Sequence, residues 1–128
     1  MAKPVVLLVE DEDDLLEVMA FAVGRALPDH EVLSASTAAD ALEVVERVHS
    51  EQRGLALAMV DHLLGGESGL TVVERIRELH PGTPMLMLTG QATPDVEERA
   101  QEVGVRVLWK PMRLKQIVSE VASAIAGA

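Results

Sequence analysis

Val5-Val6-Leu7-Leu8-Val9-Glu10-Asp11 decides the fold: five apolar residues in an unbroken row, then two acids. A strand with one wet face would alternate apolar and polar residues. A short, continuous, β-branched run instead suits a strand buried on both faces, as in a parallel sheet covered by helices. The residues that follow change period. Leu15, Met19, Ala22, Val23 and Ala26 recur at helical spacing until Pro28 breaks the pattern.

The same unit then repeats to the end of the chain. Residues 32–33 are a short strand candidate, and Thr37 is placed to cap a helix with Asp40 at its third position and an apolar stripe of Ala38, Ala41, Leu42, Val45 and Val48. Residues 55–60 predict a strand ending at Asp61, followed by a helix marked by Leu70, Val73 and Ile76 that stops before Pro81. Residues 84–88 predict a strand ending at Thr89; Pro94 suits the first turn of the next helix, which carries Val96, Ala100 and Val103. Residues 105–109 predict the last strand, and Leu114, Ile117, Val118, Val121 and Ile125 the last helix. Five strands alternating with five helices imply a parallel sheet with right-handed crossovers. That number of units suits an α/β, flavodoxin-like doubly wound sheet of five parallel strands, in the order 2-1-3-4-5 with helices on both faces.

Composition narrows the function. The chain's 128 residues suit one domain, 1–128, with one sizeable core. There is no cysteine, which excludes disulfides, thiol catalysis and cysteine-based zinc sites. A net charge of −10 repels phosphate backbones, and Phe21 and Trp109 are the only aromatics, so direct nucleic-acid binding and base stacking are disfavoured. No apolar run reaches membrane-spanning length, so a cytoplasmic protein without a membrane partner is expected.

In open α/β sheets, ligands bind beyond the carboxyl ends of the strands, at the switch in strand order. Strand one ends at Glu10 and Asp11, strand three at Asp61, strand four at Thr89 and strand five at Lys110. Strands one and three are neighbours in the proposed order, so three carboxylates would share one crevice. Two like charges about 4 Å apart repel by roughly 4 kcal/mol at an effective dielectric of about 20, so a cation is expected among them. An all-oxygen cluster open to water suits Mg2+, which takes one or two carboxylates plus a phosphate. Lys110 adds a point charge for phosphate oxygens, and Thr89 a hydroxyl. A carboxylate beside Mg2+ is a competent nucleophile toward phosphorus, which points to phosphoryl transfer onto Asp61.

The stretches VVLLVEDED, VDHLLGGESG, MLMLTG and VLWKP, taken with their spacing, resemble the receiver domain of two-component response regulators over essentially the whole chain. The resemblance implies Glu10 and Asp11 as the acidic pair, with Asp11 the direct Mg2+ ligand, and Asp61 as phosphoacceptor. It also implies a metal contact from the backbone carbonyl of Leu63, Thr89 as switch hydroxyl, Lys110 as phosphate-pairing lysine and a cis bond before Pro111. The implied partners are a histidine kinase or histidine phosphotransfer domain and a downstream output protein or domain, with homodimerisation through the last-strand face as a further contact. The implied reaction is phosphoacceptance with self-catalysed phosphorylation from small donors and self-catalysed loss of phosphate, not ordinary enzymatic turnover. The chain reads as a stand-alone receiver or a piece of a longer protein.

The chain departs from the family pattern in three respects. Gly65-Gly66 stands where a proline is frequent, which favours a more mobile loop. Val107 replaces a switch aromatic, leaving Trp109, two residues on and on the same pleat face, as the candidate reporter of switching. Leu63 and Gln91 occupy positions that tune phosphoryl lifetime, and apolar Leu63 offers no group to orient an attacking water, so slow dephosphorylation is expected.

Rival readings are weaker. A degenerate receiver, acting as a phosphorylation-independent interaction module, would not need the acidic pair Glu10 and Asp11, Asp61, Thr89 and Lys110 together. A hydrolase working through an aspartyl intermediate usually has an acid two residues beyond the nucleophile, where this chain has Leu63. A flavin or nucleotide carrier would need aromatics or a phosphate loop, and residues 65–69 match neither glycine-rich motif. His62 reads as a loop residue beside the acceptor, because no other histidine stands at ligand spacing from it.

Overall fold

A computed structural model describes residues 2–127, so the two outermost residues of the expected 1–128 domain lie outside the described residues. The element order is β1 (Val5–Val9), α1 (Asp13–Ala26), β2 (Glu31–Ala35), α2 (Ala38–Ser50), β3 (Leu55–Asp61), β4 (Leu63–Leu64), β5 (Glu67–Ser68), α3 (Leu70–Leu79), β6 (Met85–Thr89), α4 (Pro94–Glu102), β7 (Val105–Trp109) and α5 (Leu114–Ala126). The main sheet has five parallel strands in the order β2-β1-β3-β6-β7. With the two-residue strands β4 and β5 set aside, this is the expected flavodoxin-like order 2-1-3-4-5.

The unbroken apolar runs are explained by burial on both faces. Val5, Leu7 and Val9 point into a core shared with α2, α3 and α4, while Val6 and Leu8 point into a second core under α1 and α5. All five are buried, so every position of β1 removes apolar surface from water. In β3 the pairing shifts between Val5↔Leu55 and Val6↔Leu57, skipping Ala56. Leu55 belongs to the α2–α4 core and Leu57 to the α1–α5 core. A bulge of this kind re-aims the residues beyond it, and here it brings β3 to its end with Asp61 beside the end of β1.

Local signals position the helices. Thr37 caps α2 by accepting from the Asp40 amide at 3.1 Å, as expected from the sequence. Thr93 caps α4 through the Val96 amide, with Pro94 in the first turn. Only Ala100 of α4 is fully buried, so α4 buries the fewest residues of the five helices.

The structure adds one element to those read from sequence. β4 and β5 pair antiparallel as a small hairpin directly after the phosphoacceptor candidate. Gly65 and Gly66 form its turn with φ of 57° and 94°. Positive φ at both central residues is what a two-residue hairpin of this hand requires and what glycine supplies without a side-chain clash. The glycine pair thus closes a regular hairpin rather than an irregular loop.

Candidate functional site

The strand ends bring Glu10, Asp11 and Asp61 together: one carboxylate oxygen from each lies within 4.8 Å of the others. Glu10 follows β1 directly and is 1% exposed, while Asp61 ends β3 and is 5% exposed. Asp11 is exposed and its Oδ2 accepts from the Gly65 amide at 3.1 Å, tying the β1–α1 loop to the hairpin turn. Leu63 donates its amide to Asp61 Oδ1 at 3.1 Å. The Leu63 backbone therefore lies against the carboxylate whose metal it is expected to help hold.

Lys110 reaches this cluster from the far side of the sheet. Its Nζ donates to Asp61 Oδ2 at 2.7 Å and to Glu10 Oε1 at 2.8 Å, with Glu12 at 3.9 Å. The peptide bond between Lys110 and Pro111 is cis, as the family resemblance implies. Burial opposes the charged Lys110, but the hydrogen bonds and charges of Asp61 and Glu10 more than offset it, so its pKa is raised. Glu10 is pushed up from the ordinary carboxylate range to about 7, chiefly by burial and against the lowering effect of Lys110 and the Glu12 amide. One ammonium cannot compensate three carboxylates, and Glu10, the most deeply buried of them, absorbs the deficit.

That deficit is a physical argument for a further cation. Three convergent carboxylates with an exposed member suit a hard, oxygen-seeking ion that keeps part of its water shell, which is the coordination habit of Mg2+. The residues present fit the expected metal.

Thr89 ends β6, is fully buried, and pairs across the sheet with Trp109 of β7. Its hydroxyl donates to the Gln91 carbonyl at 2.9 Å and accepts from the Gln91 amide at 3.1 Å. The structure therefore brings Thr89 to the rim of the site with its hydroxyl proton turned toward its own loop. Trp109 is 46% exposed, and its side chain shares a surface depression with Val107, Glu97 and Gln101.

Two residues that touch this site are not singled out by the sequence as part of it. His62 is buried, and its Nδ1 lies 2.9 Å from the Gln91 carbonyl, 29 residues away. It is therefore tied into the site rather than free in a loop. Gly69 donates its amide to the His62 carbonyl at 2.7 Å. A Cβ on Gly69 would stand 2.1 Å from the Asp61 carbonyl oxygen and 2.9 Å from Val60 Cγ1. Only glycine lets the segment after the hairpin close back onto the end of β3. The GESG motif hints at a turn, but not at which backbone lies against it.

Comparison with known proteins identifies the family and the fold. Residues 6–122 match the family described as the response regulator receiver domain. The response regulator protein PilR of Pseudomonas aeruginosa is 31% identical over 126 residues, which cover 98% of this chain and 27% of that protein. The regulatory protein VanR of Enterococcus faecium is 27% identical over 121 residues, covering 94% of this chain and 49% of that protein. The chain thus spans between about a quarter and a half of the length of these relatives. Among solved structures, a CheY-like receiver domain protein from Methanospirillum hungatei has a TM-score of 0.83 at 21% identity, covering 98% of this chain and 96% of that one. The chemotaxis response regulator CheY4 of Vibrio cholerae has a TM-score of 0.79 at 21% identity, covering 96% and 99%. At that identity the likeness is one of fold.

Proposed function

Because this chain belongs to the response regulator receiver domain family of two-component signalling, we propose that Asp61 accepts a phosphoryl group from a histidine kinase or histidine phosphotransfer domain. The observation that carries the reading is the position of Asp61. It is nearly buried at a strand end, within 4.8 Å of two further carboxylates and 2.7 Å from the Lys110 ammonium.

A carboxylate oxygen of Asp61 forms a bond to phosphorus while the bond from phosphorus to the donor's histidine nitrogen breaks, the electron pair staying with the imidazole. Glu10, Asp11 and Asp61, with the Leu63 carbonyl, would hold Mg2+, which when bound offsets charge on the transferring group. Lys110 stays charged and pairs with phosphoryl oxygens as a point donor. The Leu63 amide orients the Asp61 carboxylate. Thr89 supplies the hydroxyl that follows the added group, and the loop after β6 moves with it, which changes affinity for a downstream output protein or domain.

The same reading treats residues 1–128 as a single receiver domain acting in the cytoplasm, where its kinase would present phosphohistidine. Among the described residues no helix is long and apolar enough to cross a membrane. The domain is a phosphoacceptor that catalyses its own phosphorylation from small donors and its own dephosphorylation, not a turnover enzyme.

Intact mass after incubation with acetyl phosphate tests the reading, with and without Mg2+, on the wild type and on Asp61→Asn. A Mg2+-dependent gain of one phosphoryl group that the variant lacks supports it. No gain in folded wild-type protein would move the assignment to a phosphorylation-independent interaction module.

A further inference from the structure

We propose that His62 is a positioning residue that clamps the loop after β6 in its resting conformation and so opposes the movement of Thr89. The inference rests on the phosphoacceptor reading for its meaning, but on the resting structure for its geometry.

The Gln91 carbonyl receives two side chains from two different strands. Thr89 Oγ1, at the end of β6, donates to it at 2.9 Å, and His62 Nδ1, just beyond β3, lies 2.9 Å from it. A carbonyl oxygen only accepts, so the ring must present Nδ1–H, and its two lone pairs serve two donors. Thr89 is held a second time, because its oxygen accepts from the Gln91 amide at 3.1 Å. The hydroxyl proton that is to meet a phosphoryl group on Asp61 is thus committed to Gln91. Moving Thr89 Oγ1 toward Asp61 breaks both of its bonds to Gln91, which loosens the turn of residues 89–91.

His62 decides how easily that turn opens. Its own backbone is held, since its carbonyl accepts from the Gly69 amide at 2.7 Å and Gly69 packs against the Asp61 carbonyl. The ring is buried, so water competes little for Nδ1–H. A fixed donor thereby ties residue 91 to the strand end that carries Asp61. Elsewhere the segment is lightly held: residues 91–93 have no regular structure, and the helix they lead into buries only Ala100 fully. The clamp is a third hydrogen bond on residue 91, beside the two to Thr89, and it alone ties that residue to the end of β3, so its loss is expected to show locally.

One hydrogen bond of this kind changes an opening equilibrium by about threefold to tenfold. The deciding measurement is amide hydrogen exchange in the resting, metal-free protein. The readout is the Gln91 amide, which is protected by Thr89 Oγ1. His62→Phe keeps a ring and removes the donor. It should speed exchange at Gln91 by about threefold to tenfold while the amides of β1 keep their wild-type protection. His62→Asn, whose side-chain amide stands near the Nδ1 position, should restore the wild-type rate. His62→Gln places its amide further out; it should behave like the phenylalanine variant and replaces it if that protein does not fold. Unchanged exchange at Gln91 overturns the proposal. So does an equal rise at every amide, which would mean only lost stability, and so does failure of His62→Asn to rescue.

Phosphoryl uptake from acetyl phosphate then gives the sense of the clamp. Faster uptake by about threefold to tenfold in His62→Phe is the expected result, and equal or slower uptake overturns the claim that the clamp opposes switching. If the wild type takes up no phosphate at all, the phosphoacceptor reading fails, whereas the exchange result still decides whether His62 holds the loop.

Discussion

Lys110 Nζ lies 2.7 Å from Asp61 Oδ2, joining residues 49 positions apart at the carboxyl ends of strands that are not neighbours in the sheet. The pair is mostly shielded from water and shares its one ammonium with Glu10. Removing that ammonium leaves two buried carboxylates facing each other. Lys110→Ala is expected to abolish phosphoryl uptake and to lower the metal-free unfolding free energy by about 1–3 kcal/mol. That is less than the loss of a fully buried ion pair, since Lys110 keeps some exposure. Urea unfolding with and without Mg2+ checks this, and Mg2+ should restore more stability to the variant than to the wild type.

Glu10 makes the metal-free protein sensitive to pH. Its carboxyl is raised to about 7 in the fold from an ordinary value of 4.5. Between these values the folded state binds more protons than the unfolded one, so stability falls as pH rises through this window and levels off above about 7. The shift corresponds to at most about 3 kcal/mol. Unfolding measured in chelator from pH 5 to 8 should show the decline, and Glu10→Gln should flatten it.

Gly69 packs against the end of β3 that carries Asp61. Gly69→Ala would set a methyl group 2.1 Å from the Asp61 carbonyl oxygen. The expected outcome is a loss of about 1–3 kcal/mol or more, read by thermal unfolding, with weaker phosphoryl uptake because Asp61 is displaced. Gly82→Ala, where a Cβ meets nothing within 4 Å, is the control and should leave uptake unchanged.

Leu63 is 43% exposed beside Asp61 and offers no polar side-chain group. Phosphorylated wild type should therefore keep its phosphoryl group for minutes or longer. Leu63→Asn should shorten the half-life by about tenfold, less than the roughly hundredfold or greater effect of a positioned general base. Phosphate release after removal of the donor measures both, and a wild-type lifetime of only seconds would contradict the expectation.

Trp109 is the sole tryptophan, and it pairs with Thr89 across the β6–β7 ladder. Phosphorylation should change its fluorescence. Thr89→Val should still accept phosphate at Asp61 but lose that change, because the shape of the side chain is kept while the hydroxyl is gone.

Much of this architecture is already present in local sequence. An unbroken run such as Val5–Val9 can be satisfied only between two apolar layers, and that requirement propagates to the parallel sheet, its crossovers and the strand order. The polar residues that interrupt the pattern, Glu10, Asp11, Asp61, Thr89 and Lys110, were legible because each stands at or just beyond the end of a strand, and the ends of parallel strands meet at one edge. Thr37 and Pro94 were legible for a similar reason, since caps act within a few residues of where they stand.

What the chain order could not reveal depends on partners far apart in sequence. His62 reads as a loop residue until the fold lays the Gln91 carbonyl 2.9 Å from its ring. Gly69 reads as a turn residue until the Asp61 backbone is seen to occupy the space of its missing Cβ. The β4–β5 hairpin is two residues per strand, too short for any period to show. The raised carboxyl of Glu10 is likewise a product of burial and of the Asp61 carboxylate on another strand, acting against the lowering effect of Lys110. Sequence by itself determined the period of each element and the residue at its end. Only the tertiary structure decided which backbone atoms those residues touch, because hydrogen bonding, close approach and desolvation act through distance in space, not along the chain.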